Sequence, residues 1–386
     1  MPGSITRFSY IDAIRGYAIL MVIGVHTSHL FGDLSAPLAT VAAQGARGVQ
    51  LFFVASALAL CFSWTAREES AGSFYARRLF RIAPMFWLAI IFYVWLYGTA
   101  PRFFAPDGIG SRHIAMTALF LHGLWPDTIS SVVPGGWSVA DEAIFYALFP
   151  FFVPSLMRSR WRTILIVAAV AIVGGAQVSR LIQGFSYLLP KFLADLAGVY
   201  VFYWFPRQLP CFIFGIMLFK WSVERPLPSP AIAAALCILS IVLMVAVSFL
   251  EGVKYAVPLG SQTTYGLIFA LFVFSLMSWK SSPLINPLAI WIGKVSYSAY
   301  LIHFAVLNNL VAPRLSGYPD LDFAITFTVV VAITVALSSV TYWFIEQPMI
   351  KFGGRVISHH IFSGRTAEAL IASPVSSSNS AVFPKP

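Results

Sequence analysis

Arg15 and His26 lie eleven positions apart in the first apolar stretch of the chain. Because a helix turns about 100° per residue, eleven residues bring the two side chains back to one face, about 16 Å apart along the axis. A charge that faces lipid is costly, so such residues usually face protein or a water-filled cavity. The spacing predicts a path with a fixed cation at one end and a titratable base at the other. The alternative is that Arg15 anchors the helix at the membrane surface and His26 caps its far end.

Three arginines, Arg77, Arg78 and Arg81, lead into an apolar run that opens at Pro84. Arg77 and Arg81 are four positions apart and are therefore neighbours on one helical face. Guanidinium groups match phosphate oxygens in charge and geometry, so this cluster could hold phosphates or anionic lipid. The alternative is that the three arginines only set the topology of the chain.

Two adjacent carboxylates, Asp141 and Glu142, stand at the start of another apolar run. Ser138, Glu142 and Tyr146 are spaced by four residues and share one helical face. Acidic residues in a first helical turn gain about 0.3–1 kcal/mol from the helix dipole, which is the structural explanation for Asp141. Glu142 lies deeper in the helix, where that gain fades, and is the stronger functional candidate.

A second polar stripe, Ser296, Tyr300 and His303, follows positions i, i+4 and i+7 of a later apolar run. This spacing again places three polar side chains on one helical face. The stripe predicts either a functional histidine within the membrane or a buried histidine whose hydrogen bond is satisfied by a tyrosine hydroxyl.

The composition excludes a soluble protein. Of the 386 residues, 59% are hydrophobic and 10% are charged, and the mean hydropathy is +0.80. Soluble domains are about 25% charged, so this chain lacks the polar surface that water requires. The net charge of +10 would suggest nucleic acid in a soluble protein. Here the basic residues lie mostly in short loops, which indicates membrane topology and no nucleic-acid partner.

The apolar runs predict an all-α integral membrane protein, a bundle of about ten transmembrane helices in a lipid bilayer. The distribution of Lys and Arg in the short loops predicts that both termini are cytoplasmic. The stretch Ile114–Trp125 is expected to be re-entrant or interfacial, and residues 185–205 to form an extra partial helix. Residues 1–352 form the predicted membrane domain, and residues 353–386 are expected to be a disordered cytoplasmic tail. The ten predicted spans cover residues 11–30, 47–64, 82–99, 137–157, 162–179, 207–221, 231–250, 262–279, 288–311 and 322–345.

The sequence contains no serine elbow, P-loop, HExxH or GxGxxG motif, and its three cysteines lack a metal-ligand spacing. We therefore expect no metal. What remains is a series of polar side chains from separate helices within an apolar bundle.

Six segments in chain order resemble the motifs of acyltransferase family 3, the membrane O-acyltransferases that modify extracytoplasmic glycans. The segments cover about residues 10–352. Two of these segments depart from the family pattern, one with Ser56-Ala57-Leu58 in place of Ser-Gly-Phe and the other with Gln347 in place of Lys. The six segments are "IDAIRG" with its distant His, "GVQLFFVASALAL", "FYARRLFRIAPMFW", "GGWSVADEAIFYALFP", "SYSAYLIHF" and "FIEQPMIK".

The resemblance implies a ten-span bundle in a bacterial inner membrane, with an acyl-CoA donor on the cytoplasmic side. It also implies an acceptor hydroxyl on the outer side and functional roles for Arg15 and His26. The predicted activity is transfer of an acyl group, most simply acetyl, to a carbohydrate or glycolipid such as an exopolysaccharide or O-antigen. A hydroxyl is a poor nucleophile near neutral pH, and a histidine can remove its proton as the new bond forms.

The predicted roles fall into three groups. The catalytic candidates are His26, Glu142 and His303; the donor-binding candidates are Arg15, Arg77, Arg78 and Arg81; and the acceptor-binding candidates are Ser138, Asp141 and Tyr300. Two alternatives remain. The polar residues could form a relay in a transporter, or His303 rather than His26 could carry the chemistry in a different class of multi-span acyltransferase.

Overall fold

The computed structural model describes residues 8–67, 70–188, 191–252, 259–309 and 315–358. Within these ranges the regular structure is helical, apart from one isolated bridge between Arg102 and Ala105. The helices are α1 (Ser9–Ser28), α2 (Ala36–Ala43), α3 (Gly48–Arg67), α4 (Ala71–Tyr97), α5 (Ser111–Ala118), α6 (Trp137–Arg158), α7 (Trp161–Phe185), α8 (Lys191–Tyr203), α9 (Phe205–Glu224), α10 (Pro230–Gly252), α11 (Ser261–Ser278), α12 (Pro287–Lys294), α13 (Ser296–Asn309) and α14 (Pro319–Thr341).

The described residues contain eight helices that are long and apolar enough to cross a membrane. The pair α12 and α13 makes a ninth if it counts as one span bent by 77°. The remaining predicted span is α1, a 20-residue helix that carries Asp12 and Arg15 and is not among these helices. The all-helical membrane fold is thus confirmed, and ten spans remain a prediction.

The outer surface of the bundle is apolar, as lipid requires. On α7, Ile166 and Val170 are 63% and 65% exposed, and on α10 Ile238 is 65% exposed. Side chains of this kind would be costly in water but are at no disadvantage against acyl chains. The polar side chains that matter for function therefore have to lie inside the bundle.

Two predicted boundaries differ from the structure, and one expected partial helix is found. Helix α4 begins at Ala71 and passes through Pro84, so the arginine cluster occupies its first turns and not a loop before the helix. Helix α8 is the expected partial helix within residues 185–205. Helix α14 continues through a π-helical turn, Tyr342–Glu346, and remains helical to Ser358, beyond the predicted domain boundary at residue 352. The predicted disorder of residues 359–386 lies outside the described residues.

Helix α1 is held at the centre of the bundle by glycines on its neighbours. It makes its most extensive contacts with α12 and packs also on α3, α13 and α14. A Cβ atom built at Gly293 would lie 1.7 Å from the carbonyl oxygen of Asp12, and one at Gly48 would lie 2.5 Å from that of Ala18. The backbones therefore approach closely because no side chain intervenes, as is usual where membrane helices pack tightly.

Replacing Gly293 with alanine tests this contact. The added methyl group would meet the backbone of α1 and force α1 and α12 apart, an overpacking that costs about 1–3 kcal/mol. We expect Gly293→Ala to lower the midpoint of thermal unfolding of the protein in detergent. Gly174→Ala is the matched control, because a Cβ at Gly174 meets nothing within 4 Å. Equal midpoints for the two variants would contradict the close approach.

Candidate functional site

A pocket of about 730 Å³ opens at one end of the bundle and is lined by six cationic side chains. We call it the basic pocket, and the end that carries it the basic end. No Asp or Glu is among the described residues that line it. Helix α1 begins at this end, since the ring of Phe8 lies 5.1 Å from that of Phe62 near the end of α3. The six cations are Arg67, Arg77, Arg78, Arg81, Lys351 and Arg355.

Three of the six cations of the basic pocket are not among the predicted site residues. Arg67 ends α3, while Lys351 and Arg355 lie on the helix that continues from α14. Lys351 and Arg355 are four positions apart, so they present both charges on one helical face. That spacing could have identified Lys351 and Arg355 as a cationic pair. It could not show that their helical face lies beside the first turns of α4.

Next along α1 lies a narrow cavity of about 50 Å³, which we call the neck. The Arg15 side chain lines it and makes no hydrogen bond or salt bridge with another described residue. Its charge interacts with those of Glu142, Asp12 and Arg81. The guanidinium group therefore keeps its donors available to a molecule in the neck. The polar residues that line the neck are Arg15, Ser56, Ser138, Glu142, Ser296, Tyr297 and Tyr300.

Glu142 is fixed in the wall of the neck by two hydroxyl groups. The Ser56 hydroxyl on α3 and the Tyr146 hydroxyl on α6 each donate to its Oε1 atom, both at 2.5 Å. Ser56 is not among the predicted site residues, and the structure gives it this hydrogen bond. Glu142 thus accepts hydrogen bonds from two hydroxyl groups and from neither of the two candidate histidines.

A further buried carboxylate, Glu346, accepts a hydrogen bond from the hydroxyl of Ser298 on α13. Its charge interacts with those of Arg81 and Arg15. Glu346 ends the π-helical turn, a rare local geometry that often marks functional sites. Glu346 lies in the motif "FIEQPMIK" but is not among the predicted site residues.

Tyr300 joins the neck to a third cavity. Its hydroxyl accepts a hydrogen bond from Ser138 at 2.8 Å and donates to the carbonyl oxygen of Gly135 at 2.9 Å. Tyr300 and Val49 line both the neck and the third cavity, so these two cavities are neighbours with a shared wall. The predicted pair Ser138 and Tyr300 is therefore brought together, at the boundary between the two cavities.

The third cavity has a volume of about 320 Å³ and contains His26, so we call it the histidine cavity. Neither ring nitrogen of His26 has a hydrogen-bond partner among the described residues. The His26 ring lies 4.4 Å from the ring of Phe304 and 5.4 Å from that of His303. Arg15 and His26 thus line successive cavities on one side of α1, as their spacing predicts.

His303 is held in one orientation beside His26. Its Nδ1 atom lies 2.7 Å from the carbonyl oxygen of Tyr300, which can only accept a hydrogen bond, so the proton is assigned to Nδ1. The Nε2 atom is buried and has no partner among the described residues. A lone pair on this nitrogen is therefore available to an N–H group of a neighbouring imidazole.

Two predicted site residues, Asp141 and His303, line none of the three cavities; His303 packs beside His26, whereas Asp141 does not contact the site. The Asp141 side chain is fully buried and has no partner for either carboxylate oxygen among the described residues. The reason is helical geometry, because adjacent residues differ by about 100° around the axis. With Glu142 turned toward the neck, Asp141 is turned away from it.

A family model described as an acyltransferase domain matches residues 8–343 of the chain. The chain belongs to acyltransferase family 3. The matched region contains α1, the arginine cluster of α4, Glu142 and both histidines. It ends just before Glu346 and the last two cations of the basic pocket.

Similar proteins carry names that concern acetyl transfer or glycans. A protein of Staphylococcus aureus strain COL, named a putative O-acetyltransferase, is 24% identical over 91% of this chain and 59% of its own length. The exopolysaccharide production protein ExoZ of Rhizobium meliloti is 25% identical over 84% of this chain and 95% of its own. The putative peptidoglycan O-acetyltransferase YrhL of Bacillus subtilis is 24% identical over 95% of this chain and 58% of its own.

The chain therefore spans less than two thirds of the length of the staphylococcal relatives that it matches. No solved structure matches it significantly. Among the described residues, no group of three or more His, Cys, Asp or Glu side chains is placed to hold a metal ion.

The basic pocket is predicted to bind polyphosphate anions, and CoA is the probe. We expect Arg81→Gln and Arg355→Gln each to weaken CoA binding about tenfold, because hydrogen bonds to charged groups contribute about 1.5–3 kcal/mol. Isothermal titration calorimetry of the protein in nanodiscs would measure the dissociation constants. Arg160→Gln is the control, since Arg160 precedes α7 and does not line the pocket. Unchanged affinity in both pocket variants would contradict the assignment.

Proposed function

We propose that this chain is a membrane O-acyltransferase that moves an acyl group, most simply acetyl, from acyl-CoA to a hydroxyl group of an extracytoplasmic carbohydrate. The observation that carries the proposal is that the neck and the histidine cavity share a wall, while Arg81 of the basic pocket interacts electrostatically with Arg15 in the neck. An anion-binding site, a passage and a candidate base are the parts that acyl transfer across a membrane requires. Family membership favours this function over the alternative of a transporter.

The orientation follows from the positive charges. The basic end carries Arg67, the three arginines of α4, Lys351 and Arg355. Cytoplasmic loops are enriched in Lys and Arg, so the basic end is assigned to the cytoplasm. With ten spans, both termini would lie there, and the histidine cavity would face outward. A bacterial inner membrane fits both this arrangement and the relatives.

The donor is proposed to bind with its phosphates in the basic pocket and its pantetheine arm in the neck. Guanidinium groups bind phosphate oxygens in forked pairs, which suits a nucleotide diphosphate. In the neck, the Ser296 hydroxyl is buried without a partner among the described residues, and Arg15 offers several donors. Such groups can bond the amides and carbonyl of an extended arm. Glu142 and Ser56 would hold the wall of the neck in position.

The thioester would then meet the acceptor at the wall formed by Tyr300 and Val49. His26 takes the proton of the acceptor hydroxyl as that oxygen bonds to the thioester carbonyl carbon. The carbon–sulfur bond breaks, and the departing thiolate receives the proton from the imidazolium of His26. His303 acts on His26 as a positioning residue, because its Nε2 lone pair can accept an N–H group of that ring. Ser138 fixes the hydroxyl of Tyr300 at the same wall.

Replacing His26 tests the proposed base. We expect His26→Ala to lower the rate of acyl transfer by about 10²–10⁴, the range that general base catalysis contributes, while CoA binding in the basic pocket is retained. The measurement is transfer of labelled acetyl groups from acetyl-CoA to surface glycan by the purified protein. His29→Ala is the matched control, since His29 lies one turn away and lines none of the cavities. Turnover at the wild-type rate in His26→Ala would remove His26 from the mechanism.

His303 should affect turnover and not donor binding. We expect His303→Ala to lower kcat and leave the KM for acetyl-CoA near the wild-type value, because the side chain acts through His26 at the far end of the donor path. Steady-state kinetics with varied acetyl-CoA separates the two constants. A rise in KM with unchanged kcat would place His303 in donor binding instead.

A further inference from the structure

The wall of the histidine cavity contains a donor and an acceptor that no described residue satisfies. The Nε atom of Arg47 and the Oε1 atom of Gln50 are both buried and have no hydrogen-bond partner among the described residues. Both residues line the histidine cavity, and they are three positions apart at the start of α3. Buried polar groups are normally paired, so an unpaired donor beside an unpaired acceptor indicates a ligand.

Gln50 is held so that its amide oxygen stays free. Its Nε2 atom donates to Oε1 of Gln208 at 2.8 Å, and Nε2 of Gln208 donates to the carbonyl oxygen of Phe202 at 3.1 Å. Gln50 and Gln208 are almost completely buried, with exposures of 1% and 0%. The chain of hydrogen bonds fixes which side of the Gln50 amide donates, and leaves the oxygen as an acceptor.

Arg47 is held by two rings and a distant carboxylate. Its guanidinium carbon lies 5.4 Å from the ring centre of Phe202 and 5.5 Å from that of Tyr265. Its Nη2 atom lies 3.7 Å from Glu251, whose other carboxylate oxygen accepts a hydrogen bond from Ser261. The Arg47 charge is thus only partly offset, and the Nε edge of the fork remains unused.

The charged side chains that line the histidine cavity are both cationic. Arg47 and Arg102 line it, and no Asp or Glu is among its described lining residues. Arg102 donates to the carbonyl oxygens of Gly98 at 2.8 Å and Ser131 at 3.3 Å, which hold the side chain without cancelling its charge. An enclosed cavity lined by one sign of charge attracts the opposite sign.

The size and the aromatic walls of the cavity suit a sugar. Its volume of about 320 Å³ falls in the range of small-ligand sites. Trp137 and Tyr203 stand in its wall with ring centres 4.7 Å apart, and Phe104 and Phe304 complete the apolar surface. Flat apolar faces next to a few placed polar groups are typical of ligand pockets.

We propose that the acceptor is an acidic sugar whose carboxylate binds Arg47, with a hydroxyl of the same sugar donating to Oε1 of Gln50 and another presented to His26. The proposal rests on the proposed function and specifies its acceptor. A carboxylate fits better than a phosphate, because Arg47 shares its charge with Glu251 and offers one free edge. A group with a single negative charge and a neighbouring hydroxyl matches this donor and acceptor.

The test compares two acceptors that differ at one carbon of the acidic sugar, which is a carboxylate in one and a primary alcohol in the other. An oligosaccharide that contains glucuronic acid is offered to the protein in nanodiscs with labelled acetyl-CoA, beside the same oligosaccharide after reduction of its carboxyl groups to alcohols. We expect kcat/KM to be about tenfold higher for the acidic form, as a hydrogen bond to a charged group implies. Arg47→Gln should bring the ratio of the two kcat/KM values close to one, and Gln50→Glu should lower it by repulsion.

Arg112→Gln is the control, because Arg112 is an exposed arginine that pairs with Asp127 and does not line the cavity. It should keep the wild-type ratio. If Arg47→Gln does not fold, the wild-type ratio and Gln50→Glu decide the question. Equal use of the two acceptors by the wild-type protein, or a preference for the neutral form or for a phosphorylated sugar, would overturn the proposal. Absence of transfer to every acceptor would instead reject the proposed function.

Discussion

The structure depends on the burial of charged and polar side chains from one face of α1 inside an apolar bundle. Arg15 and His26 cannot face lipid without a large cost, so the helices around α1 have to provide enclosed polar space. They provide it as the neck and the histidine cavity, which share the wall of Val49 and Tyr300. The glycine contacts of α12 and α3 fix the rotation and depth of α1. They thereby determine which cavities the side chains of Arg15 and His26 line.

Several groups along this path are left with unused bonding capacity. Arg15 has no hydrogen bond or salt bridge among the described residues, and Ser296 and Nε2 of His303 have no partner there. Each such unpaired group lowers the stability of the fold by about 1–3 kcal/mol. This loss brings no benefit to folding. A bound substrate that supplies the missing partners would recover it. These unpaired groups support the proposal that a ligand binds along this path.

The sequence predicted the parts of the site that follow from helical periodicity. The shared face of Arg15 and His26 and the stripe of Ser296, Tyr300 and His303 are local patterns, and the structure keeps them. The contribution of Lys351 and Arg355 to the basic pocket could not be predicted, because it depends on contact between elements distant in the chain. The same holds for the hydrogen bond of Ser56 to Glu142.

Asp141 shows the opposite limit of sequence reasoning. Its adjacency to Glu142 suggested a shared role, yet neighbours on a helix point about 100° apart, and only one of them can face a narrow cavity. Which one faces it is set by the rotation of α6 against α3, where Ser56 meets Glu142. The π-helical turn at Tyr342–Glu346 likewise limits prediction for α14. A change of helical pitch changes the direction of every side chain that follows it. Glu346 ends that turn, and Lys351 and Arg355, which line the basic pocket, follow it.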